Sequence, residues 1–315
     1  MIRLQGDRST YLFDPANTRT CLRPNGRFSI IYLGKDEKDG ATVIVKQLHP
    51  RLRRQLRERR RFMKEFHPFW DMQGITRTLD MIITDEDLYL IREYREGLDL
   101  QSWIEQGHFD KLRSAAKRDF VLNLLELVAG LHRNGQLHGD IKPSNFIIGP
   151  SGEVSLIDLG LAMPLDKRER PSRDASDPLP FSMLYSPPEL MLNFPDLLDE
   201  RSDVFSMGIV LYQLMSGEMP WDEKNPAVLM NLQLVYPIAR RSVINRGLFS
   251  IIEKMTARYA FPVPPLTLPE DEQREGIQTG MEKRFANLEE VKKELETLLN
   301  FQWKKRKWLA FFLGK

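Results

Sequence analysis

In the first hundred residues, apolar positions form short runs set off by clusters of charge. "RFSIIYLGK" (27–35) and "ATVIVKQL" (41–48) are rich in β-branched and aromatic residues, and "DEKDG" separates them, so they predict a β-hairpin. "LDMIIT" (79–84) and "LYLIREY" (88–94) flank "DED" and predict a second strand pair. Between the pairs, "RLRRQLRERRRFMKEF" (51–66) is built of helix formers and ends at "HPF". From about residue 98 the period becomes helical. "FVLNLLELVAGLHRNG" (120–135) repeats apolar residues at i, i+3 and i+4 and closes on a glycine. "DVFSMGIVLYQLMSG" (203–217) is apolar nearly all round, which predicts a buried central helix. Two short strands are expected at 146–157, inside this helical half. "YAFPVPPLTLPEDEQREG" (259–276) reads as a proline- and charge-rich loop. Asn287 with Glu290 three positions on resembles a capping box before "LEEVKKELETLL". No internal repeat is present.

Composition adds limits. The chain has 315 residues, enough for two core-bearing lobes, with 42% apolar and 29% charged positions. The formal net charge of +2 offers no global field for nucleic acid, and none is expected as a partner. One cysteine, Cys21, excludes an internal disulfide framework and fits a reducing compartment. "MIRLQGDRST" holds no apolar signal core, and no window reaches the length of a spanning helix. A cytoplasmic location is the expectation, with a surface anchor at the tail considered below.

The densest chemistry lies in "LHGDIKPSNFII" (137–148), where a histidine, an aspartate, a lysine and an asparagine fall directly before an apolar run. "HGDIKPSN" resembles the catalytic loop of protein kinases, H-R-D-x-K-x-x-N. That resemblance continues along most of the chain. "VIVK" (43–46) resembles V-A-I-K, "LIDLG" (156–160) the D-F-G metal loop, and "YSPPE" (185–189) the end of the activation segment. Asp203 and Gly208 of "DVFSMG" match the central helix whose aspartate braces the catalytic loop, and Arg284 of "EKRF" matches the arginine that pairs with the Glu189 position.

The resemblance implies an α+β, two-lobe protein kinase fold. A small antiparallel sheet lobe with one helix would span 1–96, a larger and mostly helical lobe 97–300, and a basic-aromatic tail 301–315. It also implies ATP and Mg2+ as cofactors and transfer of the γ-phosphoryl group to serine or threonine hydroxyls of a protein. Asp140 would position the acceptor hydroxyl, Lys142 would contact the γ-phosphate, and Lys46 the α- and β-phosphates, with Glu58 as its partner. Asn145 and Asp158 would hold magnesium. Gly26, Phe28, Ile31, Ile44, Glu93, Tyr94, Asp99 and Ile147 would surround the nucleotide, with Asp99 on the ribose. Two other readings come from different classes. One is a pseudokinase acting as a binding or scaffold module, which a filled pocket would favour. The other is a small-molecule kinase, whose relatives often read H-G-D but lack "KPSN" and "PPE".

Four departures from the family pattern bear on activity. "PNGRFS" (24–29) keeps only Gly26 of the glycine-rich loop. Ile44 replaces the alanine that packs on adenine. Arg92 falls at a position usually apolar, where a buried guanidinium needs a partner such as Glu58 or Asp158. Gly139 replaces an arginine that binds an activation-loop phosphate, so phosphorylation there is not strictly required. Ser172, Ser176 and Ser182 lie in that segment, and Ser182 is expected to brace the loop.

Two surfaces remain. Residues 51–64 carry eight basic side chains and one glutamate, a face for solvent or for an acidic partner. "FQWKKRKWLAFFLGK" (301–315) combines aromatics with a basic run, which suits an anionic membrane surface or packing on the larger lobe.

Overall fold

The computed structural model describes residues 1–24, 26, 28–66, 72–170 and 179–298. The tail and its membrane contact, and also Ser172 and Ser176, lie outside the described residues. Two compact units emerge. Unit 1 holds Met1–Leu98 with Phe146–Leu161, and unit 2 holds Asp99–Asn145 with the described residues from Ala162 onward. The strand pair expected inside the helical half thus belongs to the sheet-bearing unit.

Unit 1 is built on an antiparallel sheet of β1 (Ile2–Gln5), β2 (Thr10–Phe13), β3 (Cys21–Arg23), β4 (Ser29–Asp36), β5 (Thr42–Leu48), β6 (Thr78–Ile83) and β7 (Leu88–Glu93). The order is β1-β2-β4-β5-β7-β6, with β3 also on β4. Period-2 alternation sorts the side chains. Tyr32, Val43, Val45, Tyr89 and Ile91 point to one face and pack with Tyr11 and Phe13 into a buried cluster. Each such side chain contributes roughly 1.5–3 kcal/mol by leaving water. The register pairs Ile31 with Lys46 and Ile44 with Arg92, so these four share the opposite face.

The basic segment forms a 3-10 turn at Pro50–Leu52 and then α1 (Leu56–Met63), shorter than the run 51–66 expected. A continuous helix would stack Arg53, Arg57 and Arg61 at i, i+4, a repulsive spacing. The break releases Arg53 toward Glu86 and Asp87, at 3.8 and 4.0 Å. The hairpin of Phe146–Ile148 and Val154–Leu156 joins this unit through backbone bonds that include those at Leu156. Leu156 N–H donates to Gly74 O at 2.7 Å and Thr76 N–H to Leu156 O at 3.0 Å.

Unit 2 is helical: α2 (Leu100–Glu105), α3 (His108–Lys111), α4 (Ser114–Arg133), α5 (Pro188–Met191), α6 (Glu200–Ser216), α7 (Pro226–Val235), α8 (Arg246–Met255), α9 (Glu270–Glu282) and a last helix, α10, at 288–298. The central helix α6 starts from a capping box at Asp199 and Ser202 and ends at Gly217. Helix α9 corrects the loop expected over 259–276. Glu270, Asp271 and Glu272 fill its first turn, where carboxylates meet the positive end of the helix dipole. Ile277 and Met281 bury its inner face against Phe261, Leu234 and Met191. At α10, Asn287 Oδ1 accepts from Glu290 N–H at 3.0 Å, and the Glu290 carboxylate accepts from Ala286 N–H at 3.0 Å. The return bond lands one residue before the position a capping box requires.

Candidate active site

Two groups of polar side chains stand out, one in each unit. In unit 1, β5 delivers Lys46 to the sheet face opposite the aromatic core. Its Nζ lies 2.5 Å from Glu65 Oε2 and 3.4 Å from Asp158 Oδ1. The partner of Lys46 is therefore Glu65, which corrects the expectation of Glu58. Glu58 stays near the start of α1 with Arg57 and Arg61, at 4.0 and 3.8 Å. The two glutamates flank the buried Phe62 at i−4 and i+3, so helical periodicity alone does not separate them. Glu65 follows the helix end and is fully enclosed. Gly160 makes room for it, since a Cβ there would sit 2.9 Å from the Glu65 carboxyl carbon.

Arg92 joins the same group. Its Nη2 reaches Glu65 Oε2 at 2.9 Å and its Nη1 reaches Asp158 Oδ1 at 3.3 Å. It does not run to solvent, being only 8% exposed. Of the two partners expected for it, Asp158 is present, and Glu65 stands in place of Glu58. Two cations and two carboxylates thus share one oxygen of each acid. Asp158 adopts φ 61°, a left-handed conformation that costs a non-glycine residue about 1–3 kcal/mol and persists where surrounding structure holds it.

The remaining nucleotide candidates take varied places. Ile31 and Ile44 lie partly exposed on the Lys46 face of the sheet, and Ile147 is partly exposed on its hairpin. Phe28, expected among the residues around the nucleotide, packs on Phe62 with ring centres 6.1 Å apart and lies beneath the Arg61 guanidinium. The chain neighbours of Gly26 lie outside the described residues. Glu93 pairs with Arg77 at 2.5 Å and Arg95 at 2.9 Å. Burial alone would raise its carboxyl, but these arginines hold it below the usual range. Tyr94 is exposed.

In unit 2, α6 fixes the loop that carries Asp140. The buried Asp203 accepts from His138 N–H at 2.8 Å, from Gly139 N–H at 3.0 Å and from His132 Nε2 at 2.8 Å. Burial alone would raise the Asp203 carboxyl. The hydrogen bond and charge of His132, with His138 beside it, override this and hold it low. Gly139 sits at φ 74°, a conformation glycine takes without a Cβ clash. On this frame, Asp140 Oδ1 accepts from the Ser182 hydroxyl at 2.6 Å and Oδ2 from Lys142 Nζ at 2.5 Å. Lys142 also donates to Ser182 at 2.9 Å. Asn145 Nδ2 donates to Asp140 O at 2.8 Å. Asp99, expected at the ribose, caps α2 by accepting from Ser102 N–H at 3.0 Å and Ser102 Oγ at 2.8 Å. Behind the loop, Arg284 makes a two-pronged pair with Glu189 at 2.7 and 3.1 Å, both buried, and Ser202 adds a bond to Glu189 at 2.8 Å.

No cluster of three or more His, Cys, Asp or Glu that could hold a metal occurs among the described residues. Magnesium does not require one: it binds through one or two carboxylates and takes the rest from phosphates and water. Asn145 and Asp158 supply hard oxygen donors of the right kind.

The family model for the protein kinase domain matches residues 25–306, and the chain belongs to that family. Its sheet-bearing and helical units are those of the two-lobe α+β kinase fold. The chain is 31% identical over 163 residues to protein kinase kin1 of Schizosaccharomyces pombe, covering 52% of this chain and 17% of that one. Over 195 residues it is 28% identical to the serine/threonine-protein kinase PrkC of Bacillus subtilis, covering 61% and 29% respectively. Over 253 residues it is 28% identical to the serine/threonine-protein kinase Pkn1 of Myxococcus xanthus, covering 75% and 35%. The chain spans well under half the length of these relatives.

Proposed function

We propose that this chain is an active kinase that transfers the γ-phosphoryl group of ATP to serine or threonine hydroxyls of a protein. The observation that carries this reading is the Ser182 hydroxyl on Asp140, with Lys142 bridging the two. The carboxylate already accepts from an aliphatic hydroxyl beside a lysine, which is the contact an acceptor serine would make. In the proposed step, the acceptor oxygen bonds to the γ-phosphorus as the bond to the β-phosphate oxygen breaks. The hydroxyl proton goes to Asp140, and ADP leaves. Lys142 stabilises charge on the transferred group. Lys46, held by Glu65, is assigned to the α- and β-phosphates. Magnesium, held by Asn145 and Asp158, would neutralise the phosphates and fix their geometry. A cytoplasmic setting belongs to the same proposal. So does an acidic partner on 51–64, where Arg53, Arg57 and Arg61 also have acidic neighbours within the chain.

One observation favours a second reading, a pseudokinase used as a binding module: Arg92 occupies the carboxylates that serve nucleotide and metal. Incubation with γ-labelled ATP and peptide pools carrying a single serine, threonine or tyrosine separates the two. Label on serine and threonine pools supports the kinase reading. No label on any pool, with ATP bound, would favour the module.

A further inference from the structure

Arg92 is the feature that the proposed reaction does not use. An arginine keeps its charge at any physiological pH, and one enclosed this far needs a compensating anion. Here it has two, and both are shared. Lys46 and Arg92 meet on Glu65 Oε2 at 2.5 and 2.9 Å, and again on Asp158 Oδ1 at 3.4 and 3.3 Å.

We propose that Arg92 supplies part of the positive charge that a divalent cation would otherwise bring to this group, so that the chain binds nucleotide polyphosphate with little dependence on the metal. The inference rests on the nucleotide reading above. With Lys46 alone, the group would carry two carboxylates and one cation. A polyphosphate arriving there would meet net negative charge unless a cation came with it. With Arg92 the formal charges cancel. In addition, two fixed cations already occupy the Asp158 oxygen, so a metal ion approaching that oxygen must compete with them. Both effects narrow the gap in affinity between metal-loaded and metal-free nucleotide. A purely structural arginine, tying β7 to the loop at Asp158, would leave that gap unchanged.

Calorimetric titration of the full chain with ATP, once in excess magnesium and once in chelator, tests this. For the wild-type chain the two dissociation constants are expected within about threefold of each other. Arg92→Met should widen the ratio to about tenfold or more, mainly by weakening metal-free binding. Arg92→Gln, which keeps hydrogen bonding and removes the charge, should widen it likewise, and thermal melts check that both variants fold. Should neither variant fold, the wild-type ratio alone decides. A wild-type chain that binds ATP only with magnesium would overturn the inference and leave the nucleotide reading intact. So would an unchanged ratio in folded variants. Absence of binding under both conditions would overturn both.

Discussion

A lysine ammonium buried as deeply as that of Lys46 is tolerated only when paired, and Glu65 and Asp158 provide the pairing. Losing Glu65 would free Lys46 to turn and leave Arg92 with one carboxylate. Glu65→Gln should therefore raise the dissociation constant for ATP by about tenfold, while Glu58→Gln, at a site among arginines on α1, should change it less than about twofold. Titration of both variants checks this, and a larger effect at Glu58 would reverse the assignment. Much of this group is readable from residue types in order. Lys46, Asp140, Lys142, Asn145 and Asp158 are picked out by their spacing in a known motif, while the placing of Asp158 beside Lys46 in the first unit is not. Glu58 and Glu65 both flank Phe62 within the run 51–66 that reads as one helix, and only the earlier end of α1 at Met63 sets them apart. The role of Phe28 was also hidden, because an aromatic ring beside a loop serves a core or a ligand with the same residue type.

Among the elements, α6 does the most to place the chemistry. Its Asp203 holds the loop of Asp140 by two backbone N–H groups and His132. The folded carboxyl ionises more readily than the unfolded one, so its stabilising contribution is complete above the unfolded value of about 4 and is lost as pH falls below it. Urea midpoints measured from pH 6 to pH 3 should therefore fall more steeply for wild type than for Asp203→Asn. The Glu189–Arg284 pair ties α5 to the segment before α10. Removing one partner leaves a buried charge alone, so Arg284→Met should destabilise the protein by about 3–5 kcal/mol in denaturant unfolding. The helix α6 was legible because it is apolar nearly all round, although its capped start at Asp199 lies before the run 203–217 that marks it. In contrast, α9 was hidden by the prolines before it, although Pro269 stands at its start, where proline is tolerated.

For the molecule as a whole, the sequence conveyed the change from strand period to helix period near residue 98. It did not convey that 146–161 would join the first unit, because that depends on backbone bonds between Leu156 and the segment at 74–76, far apart in the chain. The hairpin of β1 and β2 precedes the segment that matches the kinase family. It is anchored at the buried Asp80, which accepts from Asp7 N–H at 3.1 Å, Arg8 N–H at 2.9 Å and the Tyr11 hydroxyl at 3.1 Å. Its alternation, Ile2 and Leu4 against Tyr11 and Phe13 around "GDRS", was present in the sequence but short enough to pass as irregular chain. These parts together serve one claim, that Asp140 receives the proton of an acceptor hydroxyl. The most direct test is the rate of phosphoryl transfer from ATP to a serine peptide, measured for wild type and Asp140→Asn with their melting curves compared. A fall in rate of about 10²–10⁴-fold with unchanged melting is the expected result. Comparable rates in the two proteins would contradict the account.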